Sequence, residues 1–134
     1  MDTAALKENF ALVAANGEDV AAYFYADLFD RDPSLRQLFP GDLKTQYQKL
    51  LTALANIVDF IDDPGELVPL AQDLGRKHAG YGVVADYFPI VGASLIETLK
   101  HFSGDAWNDD LQEGWAAAYG VLAEVMTEAL SEAA

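Results

Sequence analysis

The stretch ELVPLAQDLGRKHAG, residues 66–80, decides how the rest of the chain is read. Leu67, Leu70, Ala71 and Leu74 recur at three- and four-residue steps, the spacing of one face of an α-helix. His78 comes four residues after Leu74 and continues that apolar face, so its imidazole is expected to point inward. Asp63-Pro64-Gly65 breaks the chain before this helix, which the spacing predicts over about Glu66 to Ala79, and Gly80 and Gly82 end it.

The same periodicity extends in both directions, and alternating strand-like runs are absent, so the chain reads as all-α. A first helix is predicted from about Thr3 to Ala15, ended by Asn16-Gly17, and a second from about Glu18 to Asp30 with an acidic first turn. Asp32-Pro33 starts a short helical turn through Leu38, and Phe39-Pro40-Gly41 forms a corner. Asp42 then caps a long helix to about Asp62, with Leu50, Ala53, Leu54, Ile57 and Ile61 inward. Beyond the central stretch, a helix from about Pro89 to Phe102 carries Val91, Leu95 and Leu99 in line, and Ser103-Gly104 closes it. The last, about Asn108 to Glu132, puts Leu111, Trp115, Ala118, Tyr119, Leu122, Val125 and Met126 on one stripe.

A length of 134 residues suits one domain, 1–134, and 51% hydrophobic with 22% charged residues suits a packed interior. With no cysteine, disulfides, Cys-based zinc sites, thiol catalysis and thioether-linked haem are excluded, so any haem would be the non-covalent b type. A net charge of -14 repels phosphate backbones and anionic lipid, which argues against nucleic acid and membrane partners. The opening MDTAALKENF lacks a basic segment followed by an apolar run, and no run approaches a bilayer span, so a cytoplasmic location is expected.

Of the two histidines, His101 lies off its helix's apolar stripe and reads as a surface residue. For His78 two readings stay open on the residues alone: a core imidazole satisfied by a backbone carbonyl, or an iron ligand. An axial imidazole needs its far nitrogen held by a carbonyl one turn back, and Leu74 stands at that offset. Ala21, Tyr25, Leu28 and Phe29 share one side of the second helix, burying the Tyr25 hydroxyl, for which Gln46 is a candidate partner. Lys49, Arg76 and Lys77 flank these inward positions, either as solvated charge or as cations for carboxylates of a cofactor. Phe24, Phe39, Tyr81, Phe88 and Trp115 are core aromatics unless a cofactor gives them another role. No Ser/His/Asp set, HExxH motif or glycine-rich phosphate loop is present.

The order of Tyr25, Phe39, Gln46, Leu50 and His78, with FYADLF (24–29), DPSLRQLF (32–39), LGRKH (74–78), YFPIVG (87–92) and WAAAYG (115–120), resembles bacterial single-domain globins and the globin part of flavohaemoglobins. LGRKH is also similar to the matching run of neuroglobins. The resemblance implies a globin fold of about seven helices around a haem pocket, without a separate D helix. It implies haem b held by His78 as proximal ligand, Phe39 stacked on the porphyrin, Tyr25 and Gln46 as the distal hydrogen-bonding pair, and Leu50 as the apolar residue over the ligand site. Lys49, Lys77 and Tyr81 become further haem contacts. Gln46 stands where other globins carry a distal histidine, so the sixth site is expected to be open or water-bound. Phe88 and Leu130 align with a tyrosine and a glutamate that flavohaemoglobins place near the proximal histidine, which implies weaker electron push on bound oxygen.

The function so implied is reversible binding of O2, with NO and CO as other ligands, for oxygen transport or storage. The alternative is an NO dioxygenase served by a separate reductase, since 134 residues hold no FAD or NAD part. A haem-free helical interaction or sensor module is the reading from another class.

Overall fold

A computed structural model describes residues 2–39, 41–80, 83 and 85–133, and among them there are helices and no strands. The α-helices are α1 (Thr3–Ala14), α2 (Glu18–Arg31), α3 (Lys44–Asp59), α4 (Pro64–Gly80), α5 (Phe88–Ser103) and α6 (Asp109–Ala133). A 3-10 helix, Pro33–Leu38, follows α2 and makes the seventh substantial helix, and single 3-10 turns precede and follow α5. No further helix separates the corner at Phe39 from α3, as expected.

Local chemistry sets the boundaries. Asp2 accepts a hydrogen bond from the Ala5 amide and caps α1. Asp32 accepts from the Ser34 amide and starts the 3-10 helix with Pro33 at its first position. Asp42 accepts from the Lys44 amide at 2.9 Å ahead of α3. The expected ends are met within a few residues. α3 stops at Asp59, three residues short of Asp62, and α4 begins at Pro64 instead of Glu66. Proline needs no amide partner in a first turn, while the Asp63 carbonyl accepts from both Glu66 and Leu67.

Three apolar clusters form the interior. Leu6, Val13, Val20, Val58, Leu99, Leu111 and Trp115 join α1, α2, α3, α5 and α6, and a second cluster around Phe24, Tyr25, Leu28 and Leu35 lies under the 3-10 helix. The third, of Ala71, Phe88, Met126 and Leu130, seats α4 on α6 and on the start of α5. A polar chain crosses the first cluster: Trp115 Nε1 donates to Asn9 Oδ1 at 2.9 Å, Asn9 Nδ2 donates to Ser103 Oγ at 2.8 Å, and Ser103 Oγ donates to the Leu99 carbonyl at 2.6 Å. Every buried polar atom in that chain is paired, which removes the desolvation penalty and fixes the register of α1 on α5 and α6.

α4 lies along α6, α2 crosses α5, and α3 rests on α2 and α1, yet α3 and α4 touch only over a short stretch although a four-residue turn joins them. A slot opens between them, with Ala53 on α3 and Leu70 and Leu74 on α4 among the residues that line it.

Candidate functional site

α4 uses two flanks. Ala71 is 1% exposed against α6, and Gly75, one turn on, is where the backbones come closest: a Cβ there would lie 2.7 Å from Ala129 Cβ and 2.8 Å from the Met126 carbonyl. Only glycine allows that approach, and it anchors α4 one turn before His78. The other flank, Leu67, Leu70 and Leu74, was expected to be interior but is only half-buried: Leu70 and Leu74 line the groove toward α3, and Leu74 also packs against the cluster of Ala71, Phe88, Met126 and Leu130. Leu50, Ala53, Leu54 and Ile57 on α3 are half-buried too, with Ala53 in the same groove and Leu50 packed against the cluster of Phe24, Tyr25, Leu28 and Leu35.

His78 is half-buried, and its Nδ1 lies 2.6 Å from the Leu74 carbonyl oxygen. A carbonyl only accepts, so Nδ1 carries the proton and donates, and the lone pair resides on Nε2 at the opposite side of the ring. The tautomer and ring plane are thus set by the helix itself, in the arrangement that orients a metal-ligating imidazole. Among the described residues no group of three or more His, Cys, Asp or Glu side chains could hold a bare metal ion. The donor set is a single imidazole over an apolar slot, which fits an iron carried in a flat apolar macrocycle and not a free cation.

The opposite wall begins at Tyr25, 6% exposed and enclosed by the rings of Phe24, Phe29, Phe39 and Tyr47 at centroid distances of 5.2 to 5.9 Å. Burial, with the neighbouring Tyr47 adding to it, pushes its phenol up to about 12, so the hydroxyl stays a neutral donor throughout the physiological range. The α3 ring stacked on Tyr25 is Tyr47, at 5.9 Å and 21°, a residue that sequence reasoning passed over. Among the described residues no hydrogen bond joins Tyr25 to Gln46. Gln46 is half-buried and shares the slot-side flank of α3 with Leu50, Ala53 and Ile57, which recur at helical spacing. The signal for Tyr47 was available as its position one residue beyond Gln46, on the flank that meets α2.

Phe39 is half-buried at the corner and packs edge-on to Tyr25 at 5.3 Å. Arg36 holds the corner: its guanidinium donates to the Phe39 carbonyl and, at 3.0 Å, to that of Gly41. Arg36 was likewise passed over, since an exposed arginine in a short helix carries no signal of its own.

The outer mouth of the slot is a groove of about 350 Å³ between α3 and α4, lined by Lys49, Ala53, Asn56, Leu70, Leu74 and Lys77 among others. Lys49 and Lys77, chosen from sequence as cations for a cofactor, thus meet at one opening. Lys77 is exposed and pairs with Asp73 at 3.0 Å, a weak surface contact that an anionic group could replace. Arg76 is exposed, and Tyr81 lies outside the described residues. His101 is exposed and stacks on Tyr23 at 4.2 Å, away from the slot, as expected of a surface residue. Phe88 and Leu130 are buried in one apolar cluster with Leu74 packed against it.

The model of the globin family matches residues 22–126, which takes in the slot and both its walls. The chain belongs to the globin family. Its sequence is 36% identical over 126 residues to a flavohemoprotein of Bordetella parapertussis, covering 92% of this chain and 31% of that protein. A flavohemoprotein of Bacillus subtilis is 31% identical over 122 residues, again across 31% of its length. The globin therefore spans about a third of the curated relatives it matches. Among solved structures, a bacterial globin from Campylobacter jejuni superposes with a TM-score of 0.83 at 22% identity, over 97% of this chain and 94% of that one. A carbene transferase engineered from a candidate nitric oxide dioxygenase of Rhodothermus marinus does so with a TM-score of 0.81 at 27% identity, over 98% and 94%. Globins bind haem, and the residues around this slot suit one. Among the described residues no helix is long and apolar enough to cross a membrane.

Proposed function

We propose that this globin holds haem b through His78 and binds O2 reversibly on the Tyr25 side of the slot, with NO and CO as competing ligands. The observation that carries the reading is the 2.6 Å bond from His78 Nδ1 to the Leu74 carbonyl, which fixes the ring and makes Nε2 the nitrogen that would ligate iron. Haem supplies an iron that accepts an imidazole on one face and a diatomic gas on the other. The chain's own residues do the rest. Leu67, Leu70 and Leu74 on one wall and Leu50, Ala53 and Ile57 on the other exclude water from the macrocycle, and Phe39 stacks at the corner. Lys49 and Lys77 neutralise the propionates at the mouth.

Tyr25 donates its hydroxyl hydrogen to the gas ligand, and its place is fixed by the four rings around it. Gln46, from the slot-side flank of α3, supplies a second polar contact, while Tyr47 backs Tyr25. Phe88 and Leu130, both buried in an apolar cluster, stand where the resemblance to flavohaemoglobins would place a tyrosine and a glutamate, so those two groups are not there to strengthen the imidazole as a donor. That favours holding O2 over activating it, and a role in oxygen transport or storage in the cytoplasm follows.

Reconstitution with haemin tests the reading. The protein is expected to give a Soret band and a reduced spectrum that shifts with CO, and His78→Ala to lose the histidine-ligated spectrum while remaining helical. An unaltered spectrum in His78→Ala would overturn it. The relatives favour a second reading, an NO dioxygenase with a reductase as electron donor. Steady NO consumption with a generic flavin reductase would support that reading, and one stoichiometric burst ending in ferric protein would refute it.

A further inference from the structure

We propose that the groove between α1 and α6 is a docking surface for a protein partner that presents a basic amphipathic helix. The groove encloses about 860 Å³ and is lined along α1 from Asp2 to Leu12 and along α6 from Asn108 to Ala117. Ten residues of helical rise make it about 15 Å long, the length of two to three turns, which suits a rod and not a compact ligand. Its floor is small and apolar: Ala5, Ala117 and Gly114, where an added Cβ would come within 3.0 Å of Leu6.

Two large apolar side chains are exposed among the described residues, and both belong to this face. Leu12, 49% exposed, lines the groove, and Val121, 50% exposed, continues the α6 stripe of Gly114 and Ala117 at the next turn. Exposed apolar groups gathered in one place mark interaction surfaces, and a groove between two helices takes the apolar face of a third.

Charge selects the partner. Asp2, Glu8, Asp110 and Glu113 line the groove and no Lys or Arg does. Of the eight basic residues of the chain only Lys7 falls within 1–30 and none within 101–134, and Lys7 is paired with Asp62 at 3.2 Å. The groove thus carries four carboxylates with no cation among its lining residues. A second copy would bring these carboxylates against their own image, whereas lysines flanking an apolar helix face would complement them and steer the encounter.

The test uses an 18-residue synthetic helix with leucine on one face and lysine on the other, titrated against the full chain by fluorescence anisotropy, with circular dichroism confirming that each variant stays helical. Glu8→Lys with Glu113→Lys is expected to weaken binding by about tenfold. Asp30→Lys with Asp59→Lys, which changes the net charge equally at exposed positions outside the groove, is expected to change it by less than about threefold. Leu12→Ser weakens it as well. Equal effects of the two charge-reversed pairs, or equal affinity for a peptide with serine in place of leucine, would reduce the contact to general attraction and overturn the proposal. Sedimentation showing a dimer that Leu12→Ser dissolves would overturn it too, by giving the groove to a second copy.

Discussion

Replacing Tyr25 by Phe removes one oxygen from a ring that is 6% exposed and leaves its contacts with Phe24, Phe29, Phe39 and Tyr47 in place. The variant therefore isolates the hydroxyl. One neutral hydrogen bond contributes about 0.5 to 1.5 kcal/mol, so O2 release, followed by stopped-flow mixing with excess CO, is expected to speed by about two- to thirteenfold. Tyr47→Phe, which keeps the stacked ring, is expected to speed release less, because its hydroxyl acts on the ligand only through Tyr25. An off-rate in Tyr25→Phe within about 1.5-fold of the parent would refute the assignment of Tyr25 as donor. The same hydroxyl has an independent signature. Its proton is held up to about pH 12 in the folded chain, while an unfolded tyrosine releases it near 10. The folded state then binds more protons than the unfolded state between those values, so its contribution to stability is complete below about pH 10 and is lost as pH rises through 12. Urea midpoints of the parent should fall more steeply across that window than those of Tyr25→Phe. Part of the slope remains in the variant, because Tyr119, whose hydroxyl donates to the Phe88 carbonyl at 2.8 Å, is also pushed up by burial.

Three further outcomes follow from the packing. Gly75→Val forces a side chain into the 2.7 Å approach to Ala129. It is expected to destabilise the fold by about 1 to 3 kcal/mol in urea and, by lifting α4 off α6, to speed haemin transfer to a scavenging apoglobin. Asn9→Ala leaves Trp115 Nε1 without its acceptor and Ser103 Oγ without its donor, so unfolding should show a loss of about 2 to 4 kcal/mol. A loss below about 0.5 kcal/mol would mean that water replaces the amide. Arg36→Ala frees the carbonyls of Phe39 and Gly41. With the guanidinium exposed, stability should change by no more than about 1 kcal/mol, while haemin loss should quicken because the corner that carries Phe39 loosens.

Helix existence and order were legible because each helix repeats apolar residues at helical spacing and is punctuated by glycine, proline or aspartate, as at Asn16-Gly17 and Asp32-Pro33. The ends of α3 and α4 were not, because Asp59 to Gly65 offers several competent breakers in a row and only tertiary packing selects among them. Within the slot, the offset between Leu74 and His78 was readable because a hydrogen bond from residue i to i-4 is local. The neighbour of Tyr25 was not, because whether Gln46 or Tyr47 meets it depends on how α3 rotates against α2, and one residue is 100° of rotation. The polar chain of Asn9, Ser103 and Trp115 joins residues about a hundred positions apart, and nothing in a single sequence links them.

The half-burial of Leu67, Leu70 and Leu74 separates a pocket wall from a core in this globin. Hydropathy treats these side chains and Ala71 alike, since all four repeat at helical spacing, yet Ala71 is fully closed against α6 while the leucines stay half-exposed, Leu74 included although it touches the same cluster. Apolar side chains left half in water forgo roughly half of about 1.5 to 3 kcal/mol each, and several on α3 and α4 do so together. On the proposed reading, a third apolar body, the haem, closes these stripes. Gly75 holds α4 to α6 on one side and Tyr47 holds α3 to α2 on the other, so the walls cannot collapse onto each other without breaking those contacts. The slot is thus prepared for its occupant by packing outside it. The same packing buries Phe88 and Leu130 in an apolar cluster, so on the proposed reading the residues that seat α4 on the fold also bear on whether bound oxygen is held or activated.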